Sequence, residues 1–342
     1  MKDKLKYYLE VSKVFIKHHL RFRDILIIAI NQIISKSISL PFNFLSLVTL
    51  PIDWKVYKML QTVNIKIQIS INYFLYNERL IIEDNLLQIL RINKNRDKIA
   101  RLSLVNRNLQ NELYSDLFFK LVRSKQYIAY GKRMKINNLS GIPLEKIGIE
   151  QKVIFCHSHS SHMIFTILKM GSMTNTKLNT LLVQRGYSKT AYSFLNSVAK
   201  SLEARNLEYY DPFQSNTTSL LRKVKNSNII HLYVDLPIHT SLKNFSDTNI
   251  ELFNKKAIVN DSAAKLALSF NAICIPVFTS KNEINILKPI EPNLLTEKDK
   301  QIKINKTMQS IFVQLSSYWL KYPQDWYLLG SAEYFFKITK FQ

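Results

Sequence analysis

Four short apolar runs constrain this chain more than any other feature: residues 153–156 (VIFC), 179–184 (NTLLVQ), 229–234 (IIHLYV) and 272–278 (AICIPVF). Each has the length of a strand and few polar residues, the pattern of strands buried on both faces of a sheet. Between and around them lie helix-like segments over 163–170, 191–204, 220–225 and 263–270. Strand and helix alternating in this order predict an α/β fold, a mostly parallel sheet flanked by helices and joined by crossovers.

The first run empties into an unusual polar cluster, His157-Ser158-His159-Ser160-Ser161-His162. Ligands bind outside the carboxyl ends of parallel strands, where loops converge beside helix amino-termini, so chemistry is expected here first. Arg185, just past the second run, and Asp235, at the end of the third, should share this rim. A histidine at the mouth of an apolar cleft can serve as general base, with a nearby acid fixing its tautomer. His157 is assigned that role. His159 is read as structural, because a strand continuing through it would turn it away from its immediate neighbours.

Composition narrows the partners. The 342 residues suffice for one large core plus an appendage, and 46% hydrophobic with 21% charged residues excludes global disorder. A net charge of +23 favours polyanionic partners. No basic run longer than a triplet and no nucleic-acid module stand out, which leaves an anionic membrane surface or an acidic carrier protein and argues against nucleic acid. Cys156 and Cys274 both sit in apolar runs and read as small buried hydrophobes, suited to a reducing cytoplasm.

Residues 1–60 read as a helical membrane-associating region, followed by an α/β domain over 61–342. Lys2, Lys4, Lys6, Lys13, Lys17, Arg21 and Arg23 interleave with Leu5, Leu9, Val14, Phe15 and Leu20, the make-up of a basic amphipathic helix lying on an anionic bilayer. Residues 25–50 are apolar but broken by Asn31, Gln32, Lys36, Pro41 and Asn43, which suits embedding at the interface rather than spanning. A helical hairpin within a core is the other reading of this segment. Residues 65–122 carry apolar positions at helical spacing, interrupted by a polar connection at 91–97, and Gly141-Ile142-Pro143 marks a turn.

Several blocks share one order with a known family. They are Glu83-Asp84-Asn85-Leu86, Arg96-Asp97-Lys98-Ile99-Ala100, Val153-Ile154-Phe155-Cys156-His157, Leu181-Leu182-Val183-Gln184-Arg185, Leu232-Tyr233-Val234-Asp235 and Tyr322-Pro323-Gln324-Asp325-Trp326. Over 82–336 the chain resembles the lipid A biosynthesis (lauroyl/myristoyl) acyltransferase family, related to the glycerolipid and lysophospholipid acyltransferases. The resemblance implies transfer of a fatty acyl group from acyl carrier protein or acyl-CoA to a hydroxyl or amine of a membrane-associated or carrier-bound acceptor, a lipid or glycolipid among them. It implies the cytoplasmic face of a bacterial inner membrane, and no cofactor beyond the acyl co-substrate.

In that family the histidine is followed five residues later by an acid, and here His162 stands in its place. The expected catalytic set is therefore His157, His162 and Asp235, with Arg185, Ser160 and Ser161 on substrate and no metal. Two other readings stay open. One is a non-catalytic descendant that binds lipid or a carrier domain. The other is a zinc hydrolase, because His157-x-His159-x-x-His162 resembles the first ligand motif of the metallo-β-lactamase superfamily, with His231, Asp235 and His239 as further ligands.

Overall fold

A computed structural model of the protein describes residues 30, 33–34, 37–38, 40–41, 54–113, 134–160, 163–174, 178–183, 207–210, 217–236, 247–280 and 283–336. The chain divides into two compact units, 1–80 and 81–342. Within the first, the described positions between Ile30 and Pro41 are helical and exposed. They are followed by α1 (Trp54–Ile71) and the start of α2 (Tyr73–Gln88). In α1, Ile65 and Ile69 are buried, and Gln68 Nε2 donates to Asn64 Oδ1 one turn earlier. No helix among the described residues is long and apolar enough to cross a membrane. The basic stretch at 1–23 and most of the apolar one at 25–50 fall outside the described residues.

The second unit is a mixed α/β domain. The polar connection breaks the helical lead-in as expected: α2 stops at Gln88, Arg91 and Asn95 take positive φ, and α3 (Arg96–Leu113) starts after them. Two positive-φ residues with polar side chains uncouple the helices without a glycine, since Asn in particular tolerates the left-handed region. Then come β1 (Lys135–Asn138), β2 (Val153–His157), α4 (Met163–Met173), β3 (Thr180–Val183), β4 (Leu207–Tyr210), α5 (Thr217–Asn226) and β5 (Ile229–Tyr233). A hairpin of β6 (Asp247–Leu252) and β7 (Lys255–Asn260) follows, then α6 (Ser262–Phe270), β8 (Ile273–Ser280), β9 (Glu283–Ile286) and α7 (Lys300–Lys321).

Seven strands form one sheet in the order β1-β9-β8-β2-β5-β3-β4. The four strands expected from the apolar runs are its middle, and β2, β5, β8, β3 and β4 run parallel. At one edge β9 pairs antiparallel with β8, and β1 follows β9. Every residue of β2 and β8 is buried, which explains why those runs carry apolar residues without alternation. Gly148 holds the approach to β2: its φ is +79° and a Cβ there would meet Ile229 Cγ1 at 2.7 Å.

Helix α7 begins where Asp299 caps it, its carboxylate accepting from the N–H groups of Gln301 and Ile302 at 2.6 and 3.0 Å. Its stripe of Ile304, Met308, Ile311, Phe312, Leu315 and Trp319 is buried, and the helix packs on β8 and β6. Helix α6 ends at Asn271, whose left-handed φ of 50° closes its last turn.

The topology matters for the site. From β2 the chain crosses past β5 to reach β3, whereas from β5 it crosses past β2 to reach β8. Right-handed crossovers in opposite directions place their helices on opposite faces, so the crevice outside the carboxyl ends of β2 and β5 is a topological switch point.

Candidate functional site

Pairing of β2 with β5 sets His157 opposite Tyr233. His159 and Asp235 therefore each stand two residues beyond a matched pair, at the same height above the sheet. The Asp235 carboxylate is fully buried and gathers four donors. Its Oδ1 meets His159 Nδ1 at 2.5 Å, and the His159 backbone N–H reaches the carboxylate at 2.9 Å. Its Oδ2 accepts from Ser158 Oγ at 2.8 Å and from Trp326 Nε1 at 3.1 Å. Hydrogen bonds to a carboxylate are charge-assisted, the strong class. It also marks where β2 leaves the sheet: Ser158 N still donates to Val277 O on β8, and the His159 N–H turns to Asp235 instead.

With Nδ1 bound to a carboxylate, the neutral ring of His159 keeps its proton there and presents Nε2 as acceptor. The side chain is 11% exposed, and among the described residues no hydrogen bond engages Nε2.

His157 is placed differently. Sequence reading puts it at the mouth of the cleft; in the structure it is 2% exposed and its Nε2 lies 2.8 Å from His231 Nδ1. A file of rings runs along one face of the sheet toward the rim. Phe155 and His231 are 5.2 Å apart, His231 and His157 5.0 Å, His157 and Tyr233 5.5 Å, Tyr233 and His159 4.4 Å. His157 lies inside that file, and His159 ends it. Burial pushes His157 well below the usual imidazole range, with the neighbouring His231 and His159 adding to the effect. Burial alone lowers His231 to about 3. Both rings are thus neutral at physiological pH, one donating its N–H to the other.

Ser160, expected on substrate, is also turned inward: it is buried, its Oγ accepts from Thr279 N–H at 3.1 Å, and its backbone bridges to Trp326. The remaining expected residues, Ser161, His162 and Arg185, lie outside the described residues. Cys156 and Cys274 are free and buried, and burial raises the Cys156 thiol well above its ordinary value, which suppresses the reactive thiolate. Among the described residues no three His, Cys, Asp or Glu side chains come together as a ligand set. His162 and His239, two of the residues named for zinc, are not among them.

Sequence reasoning read His159 as structural and did not foresee that it and the two tryptophans surround the carboxylate. The available signal was the matched offset: VIFCH-S-H and IIHLY-V-D each put a polar residue two places past a strand. Trp319 Nε1 donates to Ser158 Oγ at 2.9 Å, and the indoles of Trp319 and Trp326 stack at 4.2 Å and 7°. A buried imidazole–carboxylate pair at a switch point can accept a proton from an incoming hydroxyl or amine and return it to a leaving group. No protein-family model matches this chain, and no curated protein sequence matches it.

Proposed function

We propose that the protein is an acyltransferase that moves a fatty acyl group from acyl carrier protein or acyl-CoA to a hydroxyl or amine of a membrane-associated or carrier-bound acceptor. His159 is the general base and Asp235 its orienting partner. Nε2 takes the acceptor's proton as the oxygen or nitrogen attacks the thioester carbonyl, the tetrahedral adduct collapses, and the departing thiolate takes the proton back from the imidazolium. The step is balanced without a cofactor. General-base catalysis of this kind contributes roughly 10²–10⁴-fold.

The observation that carries the reading is the His159–Asp235 hydrogen bond at the carboxyl ends of β2 and β5. The family resemblance supplies the acyl chemistry, and the net charge of +23 suits an acidic carrier protein or the anionic cytoplasmic face of a bacterial inner membrane. Arg185 stays the proposed partner of phosphate on donor or acceptor, and His162 a proposed member of the catalytic set.

The test incubates full-length protein with labelled acyl carrier protein or acyl-CoA and extracted membrane lipids. Acylated lipid that accumulates with the wild type, and not with His159→Ala, is the expected result. A wild type that consumes neither donor with any acceptor overturns the assignment in favour of a lipid- or carrier-binding role.

A further inference from the structure

We propose that Trp326 is a positioning residue for the His159–Asp235 pair: its indole N–H fixes the carboxylate from the carboxyl-terminal segment, while Ser158, itself held by Trp319, fixes the same oxygen from just beyond β2. The inference rests on the reading of His159 as the base. Two N–H groups from one stacked indole pair converge on Asp235 Oδ2, one directly at 3.1 Å and one through Ser158 Oγ, in steps of 2.9 and 2.8 Å. Both tryptophans are fully buried. Oδ1 is thereby left to His159, its ring nitrogen 2.5 Å away.

The segment that carries Trp326 is itself anchored. Asn106 Nδ2 on α3 donates to Gln324 O and to Asp325 Oδ1 at 3.0 and 3.2 Å, and Asn85 Nδ2 on α2 donates to Leu329 O at 2.9 Å. Tyr327 N–H donates to His159 O at 2.8 Å. One short turn thus grips the backbone of the base and the side chain of its partner together. A carboxylate fixed by donors on Oδ2 cannot rotate, and its Oδ1 then specifies the His159 tautomer with Nε2 as acceptor.

Trp326→Phe tests this by keeping a ring against Trp319 and removing one N–H. Among the described residues, the titratable groups shown to interact with His159 are Asp235, Tyr233 and His157, all left in place. With full-length protein, two quantities are read: the titration of the His159 imidazole by NMR, and kcat and KM against pH. A carboxylate relieved of one donor draws the imidazolium proton more strongly, so the His159 titration moves upward by about half a pH unit or more. The kcat falls about tenfold with KM nearly unchanged, the size expected for one hydrogen bond to a charged group. Should W326F fail to fold, Ser158→Ala removes the other link and leaves every ring in place, with the same displacement expected. An unchanged titration in the folded variant overturns the proposal. A wild type without acyl transfer sinks the reading of the site, and the imidazole titration still decides whether Trp326 positions the pair.

Discussion

Two imidazoles two residues apart, His157 and His159, occupy opposite environments. His157 sits inside the ring file, neutral and bound to another neutral histidine. His159 stands at its end, bound to a buried carboxylate, its side chain 11% exposed. The same side chain meets a second neutral ring in one place and a carboxylate in the other, and only the second arrangement suits the proposed proton transfer. The difference comes from the partner: an uncharged ring offers nothing to stabilise an imidazolium, whereas a fixed carboxylate does.

The largest effect expected from breaking this contrast is on the carboxylate. Asp235→Asn leaves the shape but presents an amide to donors that need an acceptor, and reverses the His159 tautomer. Turnover should drop by roughly 10³–10⁴, measured per folded molecule. Chemical denaturation of the same variant should show a stability loss of about 3 kcal/mol, because a buried charged group's hydrogen-bond partners are left unsatisfied.

His157→Ala should act in the other direction, on the fold. It removes a buried ring and orphans His231 Nδ1, so stability should fall by about 2–4 kcal/mol in urea titrations. Turnover per folded molecule should stay within about threefold of wild type.

Acidity sharpens the contrast further. The folded state holds His231 and His157 neutral, while the unfolded chain protonates them near the ordinary imidazole value. The contribution of His231 is fully present above about pH 6.5 and falls as pH drops from there toward about 3, because only the unfolded state takes up the proton, and that of His157 falls in the same direction. Each histidine should add about 1 kcal/mol per pH unit to the acid destabilisation. Denaturation midpoints measured from pH 7 to 4 should fall less steeply in His231→Gln.

The smallest effect concerns the thiols. Cys156 and Cys274 should stay unmodified by a thiol reagent in native protein and react on unfolding, and Cys156→Ala should cost about 1 kcal/mol.

The central strands were legible because burial on both faces writes itself as unbroken apolar runs: VIFC and AICIPVF needed no context, and the structure extends them to His157 and Ser280. The outer strands β1 (KINN), β4 (LEYY) and β9 (EINI) were not, since four-residue strands that carry polar residues owe their pairing to a neighbour supplied from elsewhere in the chain. The hairpin of β6 and β7 was missed for a different reason. Its turn is Phe253-Asn254, both at positive φ, and the phenylalanine is kept there beside Trp319 at 6.3 Å, a tertiary contact that no turn signature announces.

In the site, Asp235 was legible from its place at a strand end. Which of His157 and His159 meets that carboxylate was not. It depends on where β2 leaves the sheet, and β2 leaves where Asp235, 76 residues later in the chain, takes the His159 N–H. The tryptophans could be recognised as core, while the destination of their N–H groups required the fold.

The most direct measurement compares acyl transfer by His159→Ala and His157→Ala, each normalised to folded protein. The account predicts that the His159 variant loses at least about a hundredfold in kcat while the His157 variant keeps most of it. The reverse order, with His157→Ala inactive and His159→Ala near wild type, would contradict it.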